Sequence, residues 1–485
     1  MRAILSVLLM TLFLPAFAGE WEVVYEFPQW LTLLDISCVS PDEVWAIGLN
    51  EQTNSNQIYY SSDGGESWTL QYSGMDLSIF LLGIDMLNPS QGFISGSYMI
   101  FMPDAEGCGA MTTNGGAVWD PVEPPFLSLV ANYLTVTAVS EQEAHMVGSW
   151  SFDNLTGLYS TYDGGSSWET HTAPASHALR YLSVQGNEFW ATGGTWPEEE
   201  GLSGQEPSLS RFHEYVPGQP RSEGGRPGQY EASIWYSPDG GSNWTEQFSS
   251  TGIGYMNGIV MVDSDFGLAV GAGDFTSQIY RSTNGGDTWT RIHFPSEDEH
   301  ILVELRMVSE TEGWAVGYNP NGPEGQPGSS ILGTSDGGLT WALEAINEPC
   351  GLLGLDMYDE HRGFACGGNN LKISRVIRYD DGYYGGDTAS PAELPVCRLS
   401  SHPNPFNPKT TLLFELENAG HVRLELLDLS GRSLRLLTDA SLSAGEHRVE
   451  WDGRDDAGHA VSSGVYFARL QHEGGREFRK LLLMK

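Results

Sequence analysis

The stretch Ser61-Ser62-Asp63-Gly64-Gly65-Glu66-Ser67-Trp68 contains the pattern that decides the fold of this 485-residue chain. The pattern is Ser or Thr, a spacer, Asp or Asn, two glycines, two spacers and Trp. Its six copies occupy residues 61–68, 112–119, 161–168, 237–244, 282–289 and 334–341. A repeat of about 50 residues is typical of propellers and solenoids, in which each unit buries its apolar face only against its neighbours.

The residue types in this pattern are those of a tight hairpin turn. The Ser hydroxyl and the Asp carboxylate satisfy backbone N–H groups, the glycines adopt positive φ, and the Trp buries a large ring at the start of the next strand. The turns lie on separate repeats, so we predict a structural role and no shared metal or acid chemistry. The residues assigned to this role are Asp63, Trp68, Asn114, Trp119, Asp163, Trp168, Asp239, Trp244, Asn284, Trp289, Asp336 and Trp341.

A second pattern gives the number of repeats. A short apolar strand that ends in Gly precedes each turn, and it occurs seven times, at residues 44–48, 93–96, 145–148, 189–193, 267–271, 314–317 and 364–367. Only six turns follow, but residues 21–25 read like the strand after a turn. Pairing of residues 21–25 with 372–378 would close a ring and remove its exposed sheet edges. The sequence therefore predicts seven blades.

The Asp-Gly-Gly-x-x-Trp turn is an Asp box and resembles the repeats of bacterial neuraminidases and sortilin. Together with strands such as Gly-Trp-Ala-Val-Gly at residues 313–317, it is most similar to the seven-bladed photosystem II assembly-factor propeller family. The resemblance covers residues 19–384. It implies the fold and leaves the function open, because such propellers include glycosidases, receptors and assembly factors.

The N-terminus and the cysteines indicate the compartment. Residues 1–18 have an apolar run that ends Ala-Phe-Ala, which is typical of a cleaved signal peptide, and no later segment approaches the roughly 20 apolar residues of a membrane span. Five cysteines are too few for a disulfide framework. Cys350 and Cys366 flank one predicted hairpin and can approach each other, whereas Cys38, Cys108 and Cys397 are scattered. No pattern of metal ligands or cofactor binding occurs.

Charge is concentrated in the first part of the chain. Residues 19–397 contain 51 acidic and 11 basic side chains, a difference of 40, whereas residues 398–485 contain 12 of each. Such acidity excludes nucleic acid and anionic lipid as natural partners, and it leaves cations, basic protein patches and neutral glycans. The alternative is that the acidity only keeps an exported monomer soluble.

A Pro-containing linker at residues 385–397 separates the propeller from residues 398–485. Alternating strands at residues 410–417, 421–428, 447–451, 465–471 and 478–484 predict a small antiparallel Ig-like β-sandwich. Pro403-Asn404-Pro405-Phe406-Asn407-Pro408, residues 428–432, residues 451–455 and the final 480–485 resemble the type IX secretion C-terminal sorting domain and the Ig-like domain of flagellar hook-capping proteins. The resemblance implies delivery to the surface or medium of a Gram-negative-type bacterium through the secretion machinery. The alternative is an Ig-like accessory module.

Two regions are candidates for ligand binding. The first is a long connection at residues 194–231, which contains Trp196, Phe212 and Tyr215 and is either functional or disordered. It lies on the face opposite the Asp boxes. The second is the set of innermost strands, whose apolar face carries Ile36, Ile84, Val136, Tyr181, Ile259, Leu305 and Leu355. Their opposite face carries the charged residues Asp35, Asp85, Arg180, Glu304, Arg306 and Asp356. Charges there either line a ligand-binding channel or pair structurally.

The sequence favours a binding protein over an enzyme. A sialidase-like glycosidase requires three arginines that clamp a carboxylate, and only Arg180 and Arg306 lie on inner strands. A glycoside hydrolase that uses two carboxylates is the alternative function. We identify no catalytic residue and expect an exported all-β protein that binds a protein or a glycan without cofactor or metal.

Overall fold

The structure, a computed structural model, is all-β. It describes residues 19–27, 30–53, 55–74, 79–98, 109–122, 132–149, 156–172, 178–194, 231–251, 255–273, 276–294, 300–322, 327–344, 348–368, 373–384, 400–402, 406, 408–416, 419–427, 433–456, 458–462, 464–472 and 475–483. No helix in this described part of the chain is long and apolar enough to cross a membrane. Several features predicted from the sequence lie outside the described residues: the signal peptide, the linker, Cys108, Cys397 and residues 195–230 with Trp196, Phe212 and Tyr215. The chain divides into two compact units, Met1–Gly386 and Asp387–Lys485.

The first unit contains seven four-stranded antiparallel units within the described residues, here called blades one to seven. Blades one to three are β2 (Leu31–Cys38), β3 (Val44–Asn50), β4 (Ser55–Ser61), β5 (Thr69–Gly74); β6 (Ile79–Met86), β7 (Gly92–Tyr98), β8 (Gly109–Thr112), β9 (Asp120–Val122); and β10 (Asn132–Ala138), β11 (Ala144–Ser149), β12 (Thr156–Thr161), β13 (Glu169–Thr172). A single backbone pairing, Asn132 with Ser97, joins blades two and three into one sheet.

Blades four to six follow the same strand order. They are β14 (Ala178–Gln185), β15 (Glu188–Gly194), β16 (Glu231–Ser237), β17 (Thr245–Thr251); β18 (Tyr255–Met261), β19 (Phe266–Gly273), β20 (Thr276–Thr283), β21 (Thr290–Ile292); and β22 (Ile301–Met307), β23 (Gly313–Asn319), β24 (Gly328–Thr334), β25 (Ala342–Leu343). Blade seven comprises β26 (Gly351–Met357), β27 (Arg362–Gly368), β28 (Ser374–Asp380) and, as its outermost strand, β1 (Glu20–Glu26).

The blades form a closed ring. Each innermost strand contacts that of the next blade, and β26 of blade seven contacts β2 of blade one. The predicted closure is confirmed, because β1 pairs antiparallel with β28, from Trp21 opposite Tyr379 to Tyr25 opposite Val376. The fold is thus a seven-bladed β-propeller, and its apolar cores lie between consecutive blades. One of them joins Ile47 of blade one to Ile84 of blade two.

Each Asp box connects the third and fourth strands of its blade. The Ser61 hydroxyl accepts the Gly65 N–H at 2.9 Å, and Asp63 Oδ1 accepts the Ser67 N–H at 2.9 Å. The other five boxes repeat both hydrogen bonds at 2.8 to 3.0 Å. In Asp163, hydrogen bonds from the hydroxyl and the N–H of Ser167 lower the pKa of the carboxyl group. The box side chains are therefore occupied in organising their own turns.

The second unit is an Ig-like sandwich of two sheets. Its strands are β29 (Ser400–His402), β30 (Thr410–Leu416), β31 (Gly420–Leu427), β32 (Ser433–Leu442), β33 (Gly445–Trp451), β34 (Gly464–His472) and β35 (Gly475–Leu483). The sheet β29-β30-β33 packs on β32-β31-β34-β35 around Phe406, Phe414, Leu424 and Trp451. Strands β29 and β32 were not predicted from the sequence, because β29 is short and β32 mixes polar and apolar residues without regular alternation.

The expected approach of Cys350 and Cys366 does not produce a disulfide. Both are buried free thiols, and so is Cys38. Burial raises the pKa of Cys350 to about 12, so this thiol stays protonated. Apolar packing of the thiols is sufficient to explain their burial.

Candidate functional site

The seven innermost strands share a backbone irregularity that the sequence did not reveal. Each strand shifts its register against its neighbour at the same level, where it contains one additional residue. These bulge residues are Leu34, Leu82, Leu134, Arg180, Asn257, Val303 and Leu353. A bulge increases local twist and redirects the side chains that follow it. It therefore determines which side chains of each strand meet those of the next blade.

Four carboxylates, one on the innermost strand of each of blades one, two, six and seven, hold consecutive blades together. Asp35 Oδ2 accepts the N–H of Ile84 at 2.9 Å, and Asp85 Oδ2 accepts that of Ala138 at 2.8 Å. Glu304 Oε2 accepts the N–H of Leu355, and Asp356 Oδ2 accepts that of Cys38, both at 2.8 Å. Every one of these donors belongs to the innermost strand of the following blade. The carboxylates act as clamps between blades.

Arg306 places a guanidinium among these carboxylates. Its Nη2 lies 2.7 Å from Glu304 Oε1, and its Nε lies 3.8 Å from Asp356 Oδ1. The Arg306 side chain is 39 % exposed and that of Glu304 only 5 %. The cluster therefore combines a buried carboxylate with one cation that is accessible to solvent. We call Asp35, Asp85, Glu304, Arg306 and Asp356 the channel cluster.

Burial decides the protonation of the channel cluster. It raises the pKa of Asp35 well above its ordinary value, and the nearby Glu304 carboxylate raises it further. Burial raises the pKa of Asp85 to about 7, and it also raises the pKa values of Glu304 and Asp356. Burial opposes the charge of Arg306, but Glu304 and Asp356 hold its pKa above the ordinary value. The cluster is thus less negative near neutral pH than four carboxylates imply.

Arg180 lies apart from the channel cluster. It is the bulge residue of blade four, is buried, and donates from Nη1 to Asn257 Oδ1 at 3.1 Å. Asn257 in turn donates to the carbonyl of Leu302 at 2.9 Å. Arg180 thereby belongs to a buried polar chain that links blades four, five and six.

Tyr181 packs against the apolar core between blades four and five, as predicted, but its register differs from the alignment on the strand glycines. Tyr181 pairs with Thr192, and Leu182, opposite Ala191, takes the position that Ile36 has in blade one. The reason is that the turn between β14 and β15 is one residue shorter than the corresponding turns of the other blades. Burial raises the pKa of Tyr181, and so do Glu304 and Asp35. The phenol therefore lies close enough to the channel cluster to feel its charge. An alignment that allowed one residue fewer in this turn would have found it.

The channel cluster offers hydrogen-bond donors and acceptors but little chemistry. Its carboxylates already accept backbone N–H groups, and its one guanidinium is paired. Within the described ranges, no group of three or more His, Cys, Asp or Glu side chains is arranged to hold a metal ion. The two inner-strand arginines do not assemble a carboxylate clamp, since Arg180 is buried in its own polar chain.

Comparisons with known proteins agree with this fold. Residues 405–475 match the FlgD Ig-like domain family. The chain is 26 % identical over 328 residues to the photosystem II assembly lipoprotein Ycf48 of Synechococcus sp. (strain CC9902), which covers 59 % of this chain and 86 % of that protein.

Two solved structures are also similar. Ycf48 from Cyanidioschyzon merolae is 15 % identical with a TM-score of 0.50, covering 75 % of this chain and 99 % of that one. A structure of Ycf48 bound to a D1 peptide is 18 % identical with a TM-score of 0.49, covering 76 % and 96 %. The first unit is thus similar in sequence to the Ycf48 lipoprotein.

Proposed function

We propose that this protein is an exported, non-catalytic β-propeller that binds a protein partner, and that its Ig-like domain directs its delivery. The observation that carries the proposal is the structural use of the channel carboxylates. Each one accepts an N–H from the next blade, as Glu304 does from Leu355. A glycosidase needs one carboxyl group free to donate a proton and another free to attack or activate water. Charges that clamp blades are poorly suited to either task.

The curated relative supports the binding function, because its name describes assembly of a protein complex. The acidity of residues 19–397 favours a partner with basic patches and faster association at low ionic strength. A photosynthetic complex is not implied, since the Ig-like domain and the predicted signal peptide indicate a different setting.

The experiment is one screen that scores binding and turnover together. The full mature chain is cross-linked to exported and surface proteins of its host, and it is assayed on a glycan array and on chromogenic glycosides. We expect a saturable protein partner and no turnover. Asp85→Asn is the matched variant, because it keeps an oxygen acceptor for the Ala138 N–H. Glycoside turnover that disappears in folded Asp85→Asn would establish the hydrolase alternative, and saturable glycan binding alone would replace the protein partner with a glycan.

The delivery proposal rests on the second unit and on the sorting-domain resemblance of residues 398–485. Removal of the residues after Val396 is expected to leave a propeller that binds its partner but stays in the periplasm of a host with type IX machinery. Fusion of residues 398–485 to an unrelated exported reporter is expected to carry the reporter to the surface or the medium. A truncated chain that still reaches the exterior, or a fusion that stays periplasmic, would reduce the domain to an accessory module.

A further inference from the structure

Gly19, immediately before β1, lies against a buried tyrosine of blade seven. Its N–H donates to the Tyr379 hydroxyl at 3.2 Å. Strand β1 begins at the next residue, and its pairing with β28 starts with Glu20 opposite Asp380. No spacer therefore separates Gly19 from the strand that closes the propeller.

The Tyr379 ring leaves room only for glycine at position 19. A Cβ on Gly19 would lie 2.6 Å from Cζ of Tyr379 and 2.8 Å from its hydroxyl oxygen. The ring is 2 % exposed and contacts the rings of Trp21 and Trp314, whose centroids lie 5.5 and 4.7 Å away, so it is held in place. A larger residue at position 19 would push β1 away from β28.

Position 19 also follows the predicted cleavage site. The signal peptide is expected to end Ala16-Phe17-Ala18, and the small residues that mark such a site precede the bond that is cut. Cleavage thus does not account for a glycine at position 19, whereas the Tyr379 ring does. Hydrolysis of this bond transfers OH from water to the Ala18 carbonyl and a proton to the Gly19 nitrogen. At neutral pH the new amine binds a further proton and is mainly an α-ammonium group.

The surroundings of the Tyr379 hydroxyl favour a cation. Burial raises the pKa of Tyr379 to about 12, and three carboxylates contribute to this rise: Asp381, Glu344 and Glu312. Their negative charge therefore acts on the atom to which Gly19 donates. An ammonium group keeps this hydrogen bond, makes it charge-assisted and is attracted by the same carboxylates, whereas a peptide N–H carries no net charge.

We propose that Gly19 becomes the N-terminus of the mature protein and that its α-ammonium group binds at the Tyr379 hydroxyl, so that removal of the signal peptide tightens the closure of the propeller. The inference rests on the export that is part of the proposed function, and it adds a processing step that stabilises the ring. Capture of an N-terminal amine at a fixed site is an established form of peptide recognition. Here the amine belongs to the chain itself.

The test compares two versions of the exported chain that differ by one natural residue. One begins at Gly19, and the other begins at Ala18, so that Gly19 keeps its N–H but carries no charge. Amide hydrogen exchange of residues 20–26 at pH 7 measures how often β1 separates from β28. Both chains are also made with Tyr379→Phe, which removes the acceptor but keeps the ring. Tyr318→Phe is the matched control, because the Tyr318 hydroxyl is buried and has no hydrogen-bond partner within the described residues.

The difference between a charged and a neutral donor corresponds to about 5- to 10-fold in an equilibrium constant. We therefore expect residues 20–26 to exchange faster by about that factor in the chain that begins at Ala18. Tyr379→Phe is expected to speed exchange in the chain that begins at Gly19 and to remove the difference between the two chains. Tyr318→Phe is expected to preserve that difference. Equal exchange in the two unsubstituted chains, or a difference that survives Tyr379→Phe, would overturn the inference.

The N-terminus of the protein exported by its host is determined by mass spectrometry, and Gly19 is expected. An exported protein that begins at another residue would overturn the inference and leave export intact. Both chains also enter the cross-linking screen, so the two proposals fail separately. A saturable partner together with equal exchange of β1 would refute only the ammonium site. The expected exchange pattern without any saturable partner would refute only the protein-binding function.

Discussion

At the residue scale, the carboxylates of the inner strands lose hydration and gain hydrogen bonds to the next blade. Asp85 is the clearest example. Burial raises the pKa of Asp85 to about 7, while its Oδ2 holds the N–H of Ala138 in the next blade. The hydrogen bond favours the ionised form and burial disfavours it, and burial is the larger effect. The protein therefore tolerates a carboxylic acid that is partly protonated under neutral conditions.

The raised pKa of Asp85 makes the free energy of unfolding depend on pH. The unfolded pKa of Asp is about 3.9, so between about pH 4 and pH 7 the folded state binds more protons than the unfolded state. The free energy of unfolding then falls as pH rises through this window. We expect Asp85→Asn to leave the free energy of unfolding nearly unchanged at pH 4 and to raise it by about 1–3 kcal/mol at pH 8. The full pKa shift of Asp85 corresponds to an upper limit of about 4 kcal/mol. The expected gain is smaller because Asp85 is only partly buried.

Urea unfolding of the propeller at pH 4, 6 and 8 measures this difference. Asp163→Asn is the control, because hydrogen bonds shift the pKa of Asp163 in the opposite direction, so that this variant is not expected to raise stability at pH 8; Asn already occupies the same position in two other boxes. Parallel stability curves for Asp85→Asn and the wild type would show that Asp85 is ionised throughout.

At the element scale, the Asp box joins blades as well as strands. The carbonyl of its first glycine accepts a side chain from the preceding blade in four described cases: Gly64 from Arg378, Gly115 from Gln71, Gly285 from Gln247 and Gly337 from Arg281. The second glycine lies against the preceding blade as well. A Cβ on Gly338 would be 2.6 Å from Leu268 Cδ2 at a φ of +76°. The pair of glycines therefore serves the turn and the interface together.

Gly338→Ala is expected to destabilise the propeller by about 2–4 kcal/mol. About 1–2 kcal/mol comes from a Cβ at positive φ, and the rest comes from displacing Leu268, which is fully buried. Gly186→Ala provides the comparison, since its φ is +63° but nothing lies within 4 Å of the added Cβ. It should lose only the backbone contribution. Urea midpoints that shift equally for the two variants would mean that the glycine serves the turn alone.

At the scale of the whole molecule, the propeller closes by joining the two ends of its own sequence. Arg378 pairs with Glu22 at 2.8 Å and Arg375 with Glu26 at 2.9 Å across β1 and β28. The Ser374 hydroxyl accepts the N–H of Leu33 at 3.1 Å and donates to the carbonyl of Leu31, which ties blade seven to blade one. Backbone pairing and the buried Trp21 ring supply most of the closure, because ion pairs whose glutamates are more than half exposed contribute only about 0–1 kcal/mol each.

Removal of residues 19–26 is expected to lower the thermal midpoint of the propeller markedly and to cause association through the freed edge of β28. Arg375→Ala combined with Arg378→Ala should cost only about 1–2 kcal/mol and leave the protein monomeric. Differential scanning calorimetry with size-exclusion chromatography distinguishes the two cases. A truncated chain that melts like the full one and elutes as a monomer would show that six complete blades and a three-stranded seventh are sufficient.

The sequence by itself determined the architecture, because the turn and strand patterns depend on interactions between residues that are close in the chain. Turn residues such as Asp63 act within a few positions, and the strand pattern at residues 21–25 was enough to place β1 beside β28. Only the tertiary structure decided the sites, because they depend on contacts between residues from different blades. Tyr181 comes within range of Glu304 through the register of β14 against β15, which the pattern of strand glycines did not give. The stacking of His361 on Tyr383 likewise depends on the fold, because blade seven brings the turn between β26 and β27 next to the end of β28. A repeat fixes the neighbours of each blade, but side-chain positions across blades follow from register and burial, which no single segment contains.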